Sequence, residues 1–565
     1  MFNTEMAVGT TPISTQILVV GGGPAGSYAA AALAREGFQV TLLEATKFPR
    51  YHIGESLLPS VRHFLKLIGA EESVINYGFN VKRGAAVKLS QSKREGYTDF
   101  VALDSNNTSW NVVRSEFDDL LLCHASKCGA TVIEGTKVTD LQFDGEGSSA
   151  RPVSATWKNT GTGIEGRVSF DYLVDASGRN GIMSTKYLKN RYFNKALSNI
   201  ACWGYWEGTD SYMPGTSREN SPWFEALDDE SGWAWFIPLH DGSTSVGVVM
   251  DKYISIRKKK ATAATGGSGT NLQTHYMEEL TRAPGVLKLI GKGTFRNNGK
   301  SEAVKSASDF SYSAPTYGGD HFRLAGDAGG IVFLDCVVIP SIDNYQAFID
   351  PFFSSGVHLA FTGALSAAIT IAASIGGSCS EEDAQRWHTS KIDTSYTRHV
   401  NSFLLVVLGT YKQIRNQEIP VMSDVDEDNF DRAFDLIRPV IQGTADVGKK
   451  STEDEFHKTI DFCRHIAGST DPEMYHAVVK VRQVFFFYLS ELSHVIPNLN
   501  RRDPVLTSLS GPITAESDLD RLFGDDDDEA INTPECLNLI SDFGTKEHFG
   551  FKAVLERGKL GLVNV

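Results

Sequence analysis

The stretch Gln16 to Glu44, QILVVGGGPAGSYAAAALAREGFQVTLLE, constrains this chain more than any other. The apolar run Ile17 to Val20 leads into Gly21, Gly23 and Gly26 at G-x-G-x-x-G spacing. An Ala-rich run and a second apolar run ending in an acid follow. That order predicts a strand, a tight turn, a helix and a second strand. The first glycine makes the turn, the second lets the backbone approach a pyrophosphate, and the third lets the helix pack on the sheet. Free N–H groups at the helix start suit phosphates. Glu44, about 20 residues past the glycines, can accept a hydrogen bond from a ribose 2′-hydroxyl, which favours an unphosphorylated adenosine ribose. FAD and NAD both satisfy this pattern.

A chain of 565 residues can bury a large core in more than one domain. Its 54 basic and 69 acidic residues give a net charge of −15, which repels polyphosphate backbones and anionic membranes. Nucleic acid and membrane are therefore not expected partners, and an acidic carrier protein is disfavoured. The seven cysteines, Cys123, Cys128, Cys202, Cys336, Cys379, Cys463 and Cys536, are scattered and odd in number. They form neither a disulfide framework nor a metal-ligand pattern, and a reducing, cytoplasmic setting is expected. The first residues, MFNTEMAVGTTPISTQ, lack a basic segment and an apolar core, and no run of about 18 apolar residues stands out.

The periodicity divides the chain as follows. Residues 1–78 carry the βαβ unit and first helices, with Leu58, Val61, Leu65 and Ile68 at helical spacing and Glu55 and Ser56 placed to cap that helix. Residues 79–110 alternate through Val81, Ala85, Val87 and Leu89 as strands leaving the nucleotide fold, and 111–185 return to it, ending in the strand and turn of FDYLVDASGRNG. Residues 186–304 read as an antiparallel sheet, with Ser255 to Asn271 as an exposed loop within it. Residues 305–375 resume the nucleotide fold at HFRLAGDAGG and enter a small-residue helix after DPFFSSGVH. From 376 to 565 the periodicity is mostly helical, with faces at Leu404, Val407 and Leu408, at Phe430, Phe434 and Ile437, and at Val481, Phe485 and Leu489.

The glycine fingerprint, the Asp-Ala-Ser-Gly turn at Asp175 and the Gly-Asp turn at Gly326 and Asp327, in that order, resemble the FAD-binding monooxygenase-like fold. This is the α/β, glutathione-reductase-type Rossmann class, here with an antiparallel β-sheet substrate layer and a helical C-terminal region. Two further stretches resemble the flavin-dependent halogenases, most closely the fungal enzymes acting on phenolic polyketides. One is Trp233-Ala-Trp235-Phe-Ile237-Pro238, the W-x-W-x-I-P motif; the other is Lys82 in GFNVKRGAAVKL, at the position of the halogenase lysine. Taken alone, a Trp-x-Trp pair is ordinarily a packed sheet face and a lysine beside an arginine a solvated strand edge. The resemblance implies that Gly21, Gly22, Gly23, Ala25, Gly26, Glu44, Glu55, Arg114, Asp327 and Val357 hold FAD, with Asp327 on the ribityl chain. It places chloride on the backbone N–H groups of Ser355 and Gly356, a donor set suited to an anion.

In that family the reduced flavin and O2 supply an oxidant that converts chloride to hypochlorous acid, while the tryptophan motif keeps substrate away from the flavin. HOCl then reaches the lysine, which holds it by a hydrogen bond or becomes a chloramine against an aromatic carbon. Desolvation would lower the amine pKa. Tryptophan halogenases carry a glutamate where Phe353 stands; a phenol, activated by its own oxygen, has no need of it, so phenolic substrates of orsellinate-derived or resorcylic type are implied. With no second dinucleotide fingerprint, FADH2 is expected from a separate flavin reductase. Between Gly329 and Ala347 stand the 17 residues Gly330 to Gln346, GIVFLDCVVIPSIDNYQ, where the family pattern runs on directly. Their apolar front is awkward for a surface loop, and a retained in-frame intron is expected. The competing readings are an FAD-dependent aromatic monooxygenase or epoxidase and a flavoprotein-like remnant disabled by the insert.

Overall fold

The computed structural model describes residues 11–88, 95–102, 104–145, 150–193, 199–229, 231–264, 271–297, 303–308, 312–329, 354–392, 395 and 547–565. The helical faces expected between Leu404 and Leu489, the segment Gly330 to Gln346, and Phe352 and Phe353 lie outside these residues.

Strand Ser14–Val20 lies at the centre of a sheet, parallel to Val40–Leu43 on one side and Glu165–Asp175 on the other. Thr131–Ile133 and Phe322–Leu324 extend the parallel set at its edges. Ile17, Leu18 and Val19 are completely buried because helices cover one face of the sheet, while Val138 and Leu141 of strand Thr136–Asp144, Ala155 of strand Arg151–Asn159, and Ile182 and Met183 pack on the other, which is why the strand reads as a continuous apolar run. Helix Pro24–Arg35 follows the glycine turn and packs on helix Gly356–Ile375. Alanines 29 to 32 let the two approach closely, and Tyr28 lies against Phe361 with ring centroids 4.8 Å apart.

Helix Gly356–Ile375, at 20 residues, is long and apolar enough to cross a membrane, contrary to the sequence expectation. Its small and apolar residues are spent inside the protein, where most of it is buried between Pro24–Arg35 and the hairpin Phe551–Val554/Gly561–Asn564. That hairpin is a strand element within a C-terminal region expected to be mostly helical. Among the described residues beyond 380, only 381–392 and residue 395 are helical.

The second sheet pairs Asn199–Glu207, Ser243–Asp251, Gly232–Pro238 and Trp223–Ala226 in antiparallel order. Gly84–Lys88 joins it parallel to Trp223–Ala226, and Gly96–Asp99 closes that edge. The sheet is therefore mixed, and it draws in residues from before the long excursion of 111–185. Helices Leu272–Leu280 and Pro284–Ile290 cover one face, burying Ala234, Phe236, Val246 and Val248 against Tyr276, Leu280 and Val286. The expected loop at Ser255 is instead part of helix Lys252–Ala264. One of its basic residues, Lys258, reaches Asp229 and Glu279 at 2.6 Å, and buried Ser255 bonds His275 at 2.9 Å.

Candidate active site

At the nucleotide end, Gly21 has φ +102°, and a Cβ there would run into the Ala176 carbonyl; a Cβ at Gly26 would run into the Gly21 carbonyl. Only glycine fits either place. Helix Pro24–Arg35 begins at Gly23 with no side-chain cap and no acidic residue in its first turn, so an anion can use its N-terminal N–H groups. Glu44 Oε2 accepts from Gly22 N at 2.6 Å, and Oε1 accepts from Thr46 N and Oγ1, which fixes the carboxylate beside the turn. The Gly326–Ala328 turn brings Asp327 to the same end: Gly326, at φ +61°, lies 3.1 Å from Ala25 Cβ measured from an added Cβ. Arg191 holds the Asp327 carbonyl at 2.8 Å. Uncapped donors, a buried acid and a cradle that tolerates no side chain suit the dinucleotide half of FAD.

Arg114 is buried and forked onto Asp118, with Nε–Oδ1 2.9 Å and Nη2–Oδ2 3.1 Å. Its Nη1 donates to the Ile53 and Gly54 carbonyls at 2.8 and 3.2 Å. Its visible work is to hold the segment entering Glu55. That segment does not cap a helix: the helix is Ser60–Ile68, with Pro59 at its N-cap and no side-chain cap. Instead Glu55 to Leu57 run beside strand Ser109–Asn111, with Leu57 N to Trp110 O at 3.0 Å and Val112 N to Glu55 O at 2.7 Å. Strand Asn80–Lys82 pairs with the other edge of Ser109–Asn111.

This three-stranded patch places Lys82. Its side chain is 2% exposed, and Nζ donates to Ser56 Oγ at 2.8 Å and Leu57 O at 3.0 Å, with the Phe100 ring centroid 5.1 Å away. No carboxylate pairs with it among the described residues, and burial alone brings the amine down to about 7. Val81 beside it is exposed. The strand thus turns its valine out and its lysine in, the reverse of the solvated-edge reading.

The tryptophan motif ends within reach of the same patch, because the Pro238 carbonyl accepts from Asn80 Nδ2 at 3.0 Å and Asn111 Nδ2 at 3.2 Å. Along Gly232–Pro238, Trp233, Trp235 and Ile237 share the face opposite the helices. Trp235 lies 5.8 Å from Trp233 and 6.3 Å from Trp203 between ring centroids and donates to Ser245 Oγ at 3.1 Å. Gly247, paired with both Trp203 and Trp235, makes room: a Cβ there would run into the Trp235 indole. The result is a rigid aromatic wall.

Ser355, buried, is the N-cap of helix Gly356–Ile375 and uses no side-chain cap; that helix also lacks an acid in its first turn. Among the described residues nothing lies within 4 Å of a Cβ built at Gly356, Val357 is buried, and His358 Nδ1 bonds Ser60 Oγ at 2.9 Å. Ser60 follows Leu57 closely in sequence, so the helix start and the Lys82 acceptors are tied together.

Sequence reasoning missed Asn80 and Asn111, whose shared acceptor is a backbone atom with no sequence signal. It also missed Tyr51 and Tyr205. Tyr205 donates to Glu55 Oε1 at 2.5 Å, Tyr51 and Tyr205 hydroxyls are 3.0 Å apart, and Trp203 Nε1 donates to Tyr51 at 2.6 Å. The i, i+2 spacing of Trp203 and Tyr205 on one strand was the available clue.

Residues 14–191 match a family model described as an FAD binding domain. The chain is 52% identical over 564 residues to the flavin-dependent halogenase armH1 of Armillaria mellea, covering 98% of this chain and 99% of that protein. It is 48% identical to the sulochrin halogenase gedL of Aspergillus terreus, covering 83% of this chain and 82% of the other. Among solved structures, the myxobacterial chondrochloren halogenase CndH superposes with a TM-score of 0.58 at 26% identity, covering 81% of this chain and 97% of that one.

Proposed function

The chain belongs to the flavin-dependent halogenases, and from that premise we propose that it chlorinates an electron-rich phenolic ring of orsellinate-derived or resorcylic type through HOCl relayed to Lys82. The observation that carries this reading is the buried amine of Lys82, with no carboxylate partner among the described residues, held by two acceptors and brought to about 7 by burial. Gly21, Gly22, Gly23, Ala25, Gly26 and Glu44 would hold the adenosine diphosphate half of FAD, with Asp327, Glu55, Arg114 and Val357 toward the flavin. When bound and reduced, FAD supplies the two electrons with which O2 and chloride yield HOCl.

The chain's own residues do the rest. Ser355 and Gly356 offer uncapped backbone donors to chloride. The wall of Trp203, Trp233 and Trp235 excludes water and keeps the phenol from the flavin. As an ammonium, Lys82 donates a hydrogen bond to HOCl; as a neutral amine, its Nζ attacks chlorine, water leaves, and the chloramine passes chlorine to the ring carbon as that carbon loses its proton. A pKa near neutrality keeps both forms available. Ser56 Oγ and Leu57 O aim Nζ, which is the positioning such a transfer needs. Phe353, in place of an acid, accords with a substrate activated by its own oxygen. A separate flavin reductase would deliver FADH2.

The test is mass spectrometry of the chain with FAD, a flavin reductase, NADH, O2, chloride and resorcinol-type phenols. A chlorine isotope doublet that disappears in Lys82→Ala, with flavin oxidation retained, is expected. A product heavier by oxygen alone, or undiminished chlorination by Lys82→Ala, overturns the proposal.

A further inference from the structure

Chlorination by this route consumes one proton per turnover. In the proposed reaction FADH2, O2, Cl−, ArH and H+ give FAD, ArCl and two waters. The C–H and O–O bonds break, the C–Cl bond forms, oxygen is reduced, and the flavin together with the chloride–arene pair is oxidised. Chloride arrives with a negative charge and ends covalently bound, so one proton must enter for every turnover.

We infer that Tyr51, Tyr205 and Glu55 form a hydrogen-bonded proton inlet from the protein surface to the chlorination site; the inference rests on the halogenase reading above. Tyr51 is half-exposed and Glu55 is buried, and Tyr205 bridges them, its hydroxyl 3.0 Å from Tyr51 and 2.5 Å from Glu55 Oε1. Trp203 Nε1 donates to the Tyr51 oxygen at 2.6 Å, and Lys305 Nζ stands 4.4 Å from the Tyr51 ring centroid. With the Tyr51 oxygen already accepting from Trp203, its proton is directed inward to Tyr205, as Tyr205's is to Glu55. Each hydroxyl passes its proton on and takes one from behind, and water recharges Tyr51.

Glu55 is the storage point. Its Oε2 is buried and makes no close hydrogen bond to a described residue, with the Ser245 hydroxyl near enough to favour the ionised form, so a proton arriving through Oε1 can be presented on the other oxygen. Along the chain the inner end adjoins the lysine's acceptors: Lys82 donates to Ser56 and Leu57, the residues that follow Glu55. Burial raises the carboxyl to about 7, opposed by Tyr205, Ser245 and Arg114 and aided by Asp241. Lys82 faces the same segment. Burial also holds Tyr51 and Tyr205 well above the usual phenol value. They conduct without ionising, whereas Glu55 fills and empties near neutral pH.

Two measurements test this on the full chain. Infrared titration of the FAD-free protein should show a buried carboxylic acid band that titrates near pH 7, is absent in Glu55→Gln, and moves to higher pH in Tyr205→Phe, where the ionised form loses a donor. A band that does not titrate between pH 6 and 8, or that survives in Glu55→Gln, overturns the inlet. In turnover, Tyr205→Phe and Tyr51→Phe should each slow halogenation by roughly 10²-fold, with FAD affinity kept, a steeper loss of rate as pH rises, and partial rescue by imidazole buffer. Native rate and pH profile in both variants would also overturn it. If the native chain yields no halogenated phenol, the halogenase substrate reading fails, and the carboxyl band still decides the inlet.

Discussion

Replacing Lys82 with methionine should remove halogenation and make the protein more stable. In the unfolded chain the amine titrates at 10.5, and in the folded chain at about 7. Between those values the unfolded state binds a proton that the folded state does not, so stability rises with pH across that window. The cost of burying this lysine is full below pH 7 and absent above 10.5. At pH 7 the difference corresponds to about 4–5 kcal/mol. Methionine keeps the length and apolar bulk but leaves Ser56 Oγ and Leu57 O without their donor, a loss of about 2 kcal/mol. Lys82→Met should thus be roughly 2 kcal/mol more stable at pH 7. The advantage should shrink by about 1.4 kcal/mol per pH unit and vanish near pH 9. Urea denaturation midpoints of both proteins from pH 6 to 9 measure it. A variant less stable at pH 7, with a difference that does not change with pH, would refute the reasoning. It would mean that the amine is paired or solvated in the folded chain.

Gly26→Ala, which drives a methyl into the Gly21 carbonyl, should abolish FAD retention; flavin absorbance of the purified protein reports it, and a yellow, saturated variant would contradict the cradle. Gly247→Ala should displace the Trp235 indole at a cost of about 1–3 kcal/mol, read as a lower melting temperature together with a changed near-ultraviolet circular dichroism spectrum. An unchanged spectrum would show that the wall is not packed as described. Asn111→Ala removes one of the two donors to the Pro238 carbonyl and should cost about 1 kcal/mol. The double variant with Asn80→Ala should cost more than twice that by leaving the carbonyl unsatisfied, and strict additivity would argue against the shared tie. Glu44→Ala should weaken FAD binding without affecting the infrared band of Glu55, which separates the two ends of the site.

Legibility in the sequence differed from residue to residue. The fingerprint was readable because Gly21 and Gly26 are set by local backbone geometry and steric exclusion, constraints that operate within a few residues. Lys82 was different. Alternation alone puts Val81 in and Lys82 out, and the structure does the opposite, because strand Ser109–Asn111 and the Glu55 to Leu57 segment close over the lysine's side of the strand. Helix Lys252–Ala264 was hidden for a related reason: its lysines look like solvated loop residues until Asp229 and Glu279, remote in sequence, are brought alongside. Helix Gly356–Ile375 carries a composition equally suited to lipid and to a protein core, and only its neighbours decide between them.

By itself, then, the sequence determined the nucleotide-binding βαβ unit and the acid that follows it, since these are written in adjacent residues and enforced by short-range sterics, whereas the aromatic motif and Lys82 stood out only through a family resemblance. Tertiary structure alone decided that the lysine is buried without a counter-ion among the described residues, that Asn80 and Asn111 lock the motif's end beside it, and that Tyr51, Tyr205 and Glu55 line up from surface to interior. Those properties depend on desolvation and on hydrogen bonds between segments up to about 150 residues apart, such as Tyr205 and Glu55. Desolvation and long-range contact exist only once the chain has closed.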